Sequence, residues 1–201
     1  MKRIVILFTL LMGVAAGFAQ GGAEVLRAVS DNFAKMGAYR IDFELEMASA
    51  TNTSKGYCLV DGPLYVIAID GMKQGFDGEK MWMLDGIAQE VVYDTHNPQS
   101  HSLFVNPTMA FDFSEELFDV VGREESDGAL TLTLEPKEGV LDGIAYVILS
   151  VDTKAQLPTR LGYDMQGAEI FINILSVGPQ NFSPEAFAAE IPEGFEVIDF
   201  R

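Results

Sequence analysis

Two histidines, one cysteine and a surplus of carboxylates are the side chains whose types could do chemistry here. His96 and His101 stand five residues apart in a polar loop that also holds Asp94. That spacing is neither the i, i+4 pair of one helix face nor a zinc pattern, so both read as solvated loop residues. Cys58 lies in the strand-like run Tyr57-Cys58-Leu59-Val60 and reads as a small buried hydrophobe, with nothing beside it to stabilise a thiolate. A single cysteine cannot make an internal disulfide. Glu124-Glu125 and Asp42/Glu44/Glu46 are carboxylate clusters, yet an acid/base pair needs two environments that drive its pKa values apart, and the sequence displays none. There is no Gly-x-Ser-x-Gly elbow, no supportive Cys–His spacing, no glycine-rich phosphate loop and no Ca²⁺-type ligand alternation. The expectation is a protein that is not an enzyme and uses no metal or cofactor.

Charge narrows the partners. The formal net charge of −17 repels a phosphate backbone, which argues against nucleic-acid binding, and it disfavours docking on anionic headgroups. Solubility and monomeric behaviour follow from the same charge. The rest of the inventory is apolar: many Phe, Leu and Ile residues, with Met36, Met47, Met72, Met81, Met83, Met109 and Met165. Methionine is unbranched and polarizable, so it suits surfaces that fit variable apolar partners, and it also fills ordinary cores. Trp82 carries the same two readings.

The elements that position these residues are mostly strands. Lys2 and Arg3 precede an apolar run from Ile4 to Ala16, and Gly17-Phe18-Ala19 offers small residues for cleavage after Ala19. Residues 1–19 are therefore expected to be a signal peptide, leaving 20–201 as one exported domain. Leu26, Val29, Phe33 and Met36 recur at helical spacing, and Gly37 follows as a stop. Tyr39, Ile41, Phe43, Leu45 and Met47 alternate with four charged residues, which predicts a strand with one greasy face. Six Asp-Gly pairs, at 61, 70, 77, 85, 127 and 142, suit tight turns in an antiparallel meander. Strands are expected at 56–61, 64–69, 72–76, 80–84 and 89–93. Asn106-Pro107 opens a short helix, and Ser114-Glu115-Glu116 opens a second that ends at Gly122. Strands resume at Leu130–Leu134, Ile144–Val151, Pro158–Met165 and Glu169–Leu175, before a helical turn at Ser183-Pro184-Glu185 and a last strand over Phe195–Phe200. The class is α+β, with about ten or eleven strands.

An ordered set of short motifs completes the reading: Asp77-Gly78-Glu79-Lys80-Met81-Trp82, Leu134-Glu135-Pro136-Lys137, and Pro192-Glu193-Gly194-Phe195-Glu196-Val197-Ile198-Asp199. Together with the early helix and strand they cover nearly the whole exported chain. The pattern resembles the LolA-like periplasmic outer-membrane lipoprotein carriers, especially those of Bacteroidetes-type bacteria. The resemblance implies an unclosed antiparallel half-barrel with a lid of short helices over a hydrophobic cavity. It implies acyl chains of lipoproteins or lipids as cargo, an inner-membrane transporter and an outer-membrane acceptor as partners, and the periplasm as location. One departure stands out: where the family has a latching Arg before the Pro that ends its second strand, this chain has Gly62 before Pro63. On this resemblance the cavity wall is drawn from Phe33, Met36, Tyr39, Ile41, Phe43, Leu45, Leu59, Met83 and Phe113; a closed core of the same residues is the competing account. An envelope sensor or adaptor of the same fold, binding a protein partner, is the alternative function. An exported hydrolase is a third, and would need His96 or His101.

Overall fold

The computed structural model describes residues 21–47, 52–103, 106–126, 129–165 and 168–201. The expected signal segment and the Asp127-Gly128 turn lie outside the described residues. Helix α1 runs over 21–36. Among the described residues twelve strands follow: β1 Tyr39–Met47, β2 Ser54–Asp61, β3 Leu64–Ile69, β4 Met72–Phe76, β5 Met81–Asp85, β6 Glu90–Asp94, β7 Phe118–Ser126, β8 Ala129–Pro136, β9 Ile144–Asp152, β10 Leu157–Met165, β11 Ala168–Pro179 and β12 Glu196–Asp199. They form one sheet in the order β12-β6-β5-β4-β3-β2-β1-β11-β10-β9-β8-β7. The end strands β12 and β7 do not pair with each other, so the barrel is unclosed.

Two meanders are joined at the middle of this sheet. The first, β1 to β6, turns at Asp61-Gly62, Asp70-Gly71, Asp77-Gly78 and Asp85-Gly86. At Asp70 (φ 48°) and Gly71 (φ 84°) the backbone is left-handed at two consecutive residues, the twist that a two-residue hairpin loop needs. The second meander, β7 to β11, closes back on the first through β1–β11 pairing, with Phe43 opposite Ile174 and Leu45 opposite Ile172. All ladders are antiparallel except one: β12 lies parallel to β6, with Val197 opposite Val91.

Strand parity divides the apolar residues between two faces. On the inner face Ile41 pairs with Cys58, and Cys58 with Ile67. Gly56 lies opposite Phe43, and a Cβ there would meet the Phe43 ring at 2.7 Å, so the glycine makes room for the aromatic. The same device appears on the outer face, where a Cβ on Gly75 would sit 2.5 Å from the Trp82 ring. There Leu59, Val66, Trp82, Leu84, Val91 and Tyr93 form a separate cluster under Phe187, which comes from the 3-10 turn Pro184–Phe187. The Trp82 Nε1–H donates to the Phe187 carbonyl at 2.8 Å, which ties this turn to the outside of the sheet. Trp82 is thus a core anchor.

Two expectations need correction. The helix expected from Ser114 to Gly122 is absent: residues 112–114 are irregular, 115–117 make a turn, and Phe118–Ser126 is strand β7. Val120 and Val121 are β-branched and favour a pleated surface, and pairing of Phe118 with Pro136 and Val120 with Leu134 decides the matter. The Asn106-Pro107 start does open a 3-10 turn, Pro107–Phe111, but Asn106 does not cap it with its side chain. Its amide instead donates to the Asn97 and Ser100 carbonyls, at 3.0 and 2.7 Å.

Candidate functional site

The inner face of the sheet is covered unevenly, and the site arises from that. Helix α1 lies on the β7–β10 side, burying Leu26, Val29 and Phe33. Arg27 pairs with Glu115 at 2.7 Å, and the Asn32 amide donates to the Ala155 and Gln156 carbonyls in the β9–β10 turn. Beside the helix, residues 106–113 form a plug over the centre of the sheet. Phe111 and Phe113 are buried, and the Phe111 ring centroid lies 6.1 Å from that of Phe43. The Tyr163 O–H donates to the Ala110 carbonyl and so pins the plug to β10. Burial pushes the Tyr163 phenol well above its ordinary pKa, which keeps it a donor.

Beyond the plug no helix among the described residues covers the inner face. An apolar cavity of about 490 Å³ lies there, walled by Phe43, Leu45 and Met47 of β1, Ile67 and Ile69 of β3, Met72 and Gln74 of β4, Met83 of β5 and Ile170 and Ile172 of β11. Leu103, Pro107, Ala110 and Phe111 form its boundary with the plug, and Ser54, Asp70 and Lys73 are its other polar members. A volume near 500 Å³ falls in the range of about 300–1,000 Å³ of ligand pockets, which are mostly apolar with a few polar groups. Met47, Met72 and Met83 are 43, 45 and 38 % exposed, large thioether side chains left open to the hollow or to solvent.

A second cavity of about 500 Å³ lies on the other side of the plug. Its wall comes from the C-terminal end of α1 (Phe33, Ala34), Gly37, Tyr39, the β2–β3 turn (Gly62, Pro63), His96, Pro98, Asn106, Thr108, Met109, Phe111, Asp112 and Phe113. Burial, with smaller contributions from Cys58 and Asp112, raises the Tyr39 pKa well above its ordinary value. Desolvation holds His96 below its usual value, so its imidazole is neutral at neutral pH.

The expected wall residues divide among five places. Phe43, Leu45 and Met83 line the apolar cavity; Phe33, Tyr39 and Phe113 line the second one. Ile41 is fully buried in the core. Met36 is half-buried at the end of α1 and lines neither cavity, and Leu59 is on the outer face with Trp82. Leu59 falls there because β2 turns Cys58 and Val60 inward, and parity then sends Leu59 out. Ile67, Ile69, Met72 and Ile170 were missed; the alternation of Tyr65, Ile67 and Ile69 was the available signal, once β1 had set the inward parity. His101 is exposed, its Nδ1 3.0 Å from the Val140 carbonyl. His96, expected in solvent, is half-buried and stacked on Phe76. Cys58 is completely buried, and desolvation pushes its thiol up to about 12, in keeping with a packing role. The described residues include no group of three or more His, Cys, Asp or Glu side chains placed to hold a metal.

This architecture recurs in solved structures. An uncharacterized conserved protein from Thermus thermophilus is similar over 89 % of this chain and 99 % of its own, with a TM-score of 0.58 and 11 % identity. A DUF1329 family protein from Desulfovibrio piger is similar over 85 % and 97 %, with a TM-score of 0.51 and 14 % identity. The chain shares their fold. A LolA superfamily protein from Nitrosomonas europaea is matched more loosely, at a TM-score of 0.43 and 10 % identity over 86 % of this chain and 98 % of its own. No family model and no curated protein sequence matches the chain.

Proposed function

We propose that this protein is a non-enzymatic carrier of hydrocarbon chains. It holds the acyl chain of a lipid or lipoprotein in the apolar cavity and shuttles it through the periplasm toward the outer membrane. The observation that carries this reading is the bare inner face: an apolar hollow of about 490 Å³, flanked by methionines and bounded by a short, pinned plug. A hydrocarbon chain withdrawn from a bilayer forfeits about 0.8 kcal/mol per CH₂ unless another apolar surface replaces the lipid. A large unfilled apolar surface on a soluble scaffold is costly for the same reason, and a ligand relieves that cost. No helix among the described residues is long and apolar enough to cross a membrane. The signal-like N-terminus supports export, and the sequence resemblance supports handover from an inner-membrane transporter to an outer-membrane acceptor.

Titration of the purified protein with a fluorescent alkyl probe, and mass spectrometry of lipid extracted from protein purified from its native envelope, test this reading. Saturable probe binding and a co-purifying lipid are the expected results. Absence of both overturns it, and a stoichiometric protein partner in place of lipid would favour the adaptor role.

A further inference from the structure

Where the apolar cavity meets solvent, its wall stays greasy. Nine large apolar side chains are exposed among the described residues, and four of them, Met47, Met72, Met83 and Ile87, line this one cavity. They come from the end of the sheet where β1 and β3 finish and β4 starts: Met47 lies opposite Ile170, and Met72 opposite Ile69. Ile87 stands in the β5–β6 turn and is 86 % exposed. Turns favour polar residues, yet Gly86-Ile87-Ala88 carries no polar side chain. The turn is firmly held. The Asp85 carboxylate accepts from the Ile87 and Ala88 N–H groups at 2.8 and 2.9 Å, and the Gly86 N–H donates to the Gly71 carbonyl at 3.1 Å. A fixed backbone therefore presents the isoleucine to solvent beside the Asp70-Gly71 turn.

We infer that this lip is a bilayer contact: Ile87 and the three methionines dip into the surface of a zwitterionic membrane, so that an alkyl chain passes between lipid and cavity without crossing water. The inference rests on the carrier reading and names the surface with which the same cavity exchanges its ligand. Each CH₂ that must cross water slows transfer about fourfold, so a continuous apolar path has a large advantage over release into solvent. A protein occupant fits less well. Four partly exposed side chains offer far less than the about 800 Å² per partner of a standard interface, and a second copy of a chain carrying −17 would be repelled. Membrane contact needs no such area, because its strength simply scales with the apolar surface buried, and a weak, reversible touch is what exchange requires. Charge selects the lipid. Asp70 lines the cavity with Lys73, and Asp85 anchors the turn, so the lip has no surplus of cations to draw anionic head groups.

The test is the rate at which a bound fluorescent alkyl probe leaves the purified protein for phosphatidylcholine vesicles. Delivery by contact needs collision, so the rate is expected to climb with vesicle concentration. A rate independent of vesicle concentration means release through water, and overturns the inference while leaving the carrier reading intact. Ile87→Asp should slow delivery at least about fivefold, with the fold retained by circular dichroism. Val121→Asp, at an exposed site on β7 outside the cavity, should change the rate less than about twofold. A merely weaker hold on the probe would speed release, so slowing in Ile87→Asp reads lost contact with the vesicle. Equal rates in the two variants overturn the lip. Phosphatidylglycerol vesicles should receive the probe about threefold more slowly at low salt, and high salt should close that gap. Faster delivery to them overturns the zwitterionic surface. Failure of the probe to bind at all removes both readings.

Discussion

The two halves of the inner face are made from the same kind of alternating strand and have opposite fates. Under α1, Leu132, Leu134, Val147, Leu149 and Leu161 have no exposed surface at all. Across β3 to β5, Ile67, Ile69, Met72 and Met83 stand in the wall of an open hollow. Strand periodicity is indifferent between these outcomes; what differs is the cover. Sixteen helical residues lie over one half, while among the described residues the other half is bordered by Leu103 and the five-residue turn Pro107–Phe111. The packed half supplies stability, and on the proposed carrier reading the open half is where a ligand would exchange.

The largest effect should appear in the packed half. Leu149→Ala is expected to cost about 2–5 kcal/mol in denaturant unfolding, because its completely buried site cannot collapse around the loss. Met83→Ala, on the bare half, should cost under about 1 kcal/mol in the same assay. Comparable losses at the two sites would show the halves to be energetically alike.

The next test reads binding. Ile69→Asp places a carboxylate in the apolar wall, and alkyl-probe affinity should fall at least about tenfold with the fold retained by circular dichroism. Leu149→Val, in the other half, should leave probe affinity within about twofold. Unchanged probe binding in Ile69→Asp would dissociate the hollow from ligand uptake.

A pH experiment probes the seam between the halves, where Cys58 packs beneath Ile41 and Ile67. Its thiol is raised from 9.0 to about 12 by desolvation, so the neutral form is favoured in the folded state. The sign follows directly: this contribution is fully present below pH 9 and is lost as pH rises toward about 12. Stability should therefore fall across that alkaline window, and less steeply in Cys58→Ala. The native thiol should also resist alkylation at neutral pH and react on unfolding.

The smallest effect belongs to the outer face of β1, where Arg40 pairs with Asp42 at 2.6 Å beside Ser176. The Arg40 hydrogen bond, with a smaller one from Ser176, lowers the Asp42 pKa below 3.8, so the stabilisation is present above that pH and fades as acid protonates the carboxylate. Both groups are solvent-accessible, and Arg40→Ala should cost under about 1 kcal/mol by chemical denaturation.

How far the sequence foretold this comparison depends on the element. Tyr39–Met47 carries large apolar and charged residues in strict alternation, so its inward face was legible from residue types alone. The Asp-Gly pairs placed β3 and β4 at their observed bounds. Tyr57-Cys58-Leu59-Val60 offers four consecutive non-charged residues with no parity of their own; only the pairing of Cys58 with Ile41 decides that Leu59 points outward. Phe118–Val121 failed for the related reason that a dense apolar run fits a helix or a strand until a partner strand is known. The division of the candidate wall between two cavities was invisible as well, because it depends on where residues 106–113 settle over the finished sheet. The parallel alignment of β12 with β6 joins segments about a hundred residues apart and leaves no local signature.

That alignment and the β1–β11 ladder impose an order on assembly. β1 finds one of its two neighbours only after residue 170 has been made, and β6 waits for residue 196. A ribosome would release almost the entire polypeptide before either union could occur, and such distant encounters are slow. Late closure of the sheet would suit the export proposed above, in which the chain threads through a translocation channel before the last strands pair.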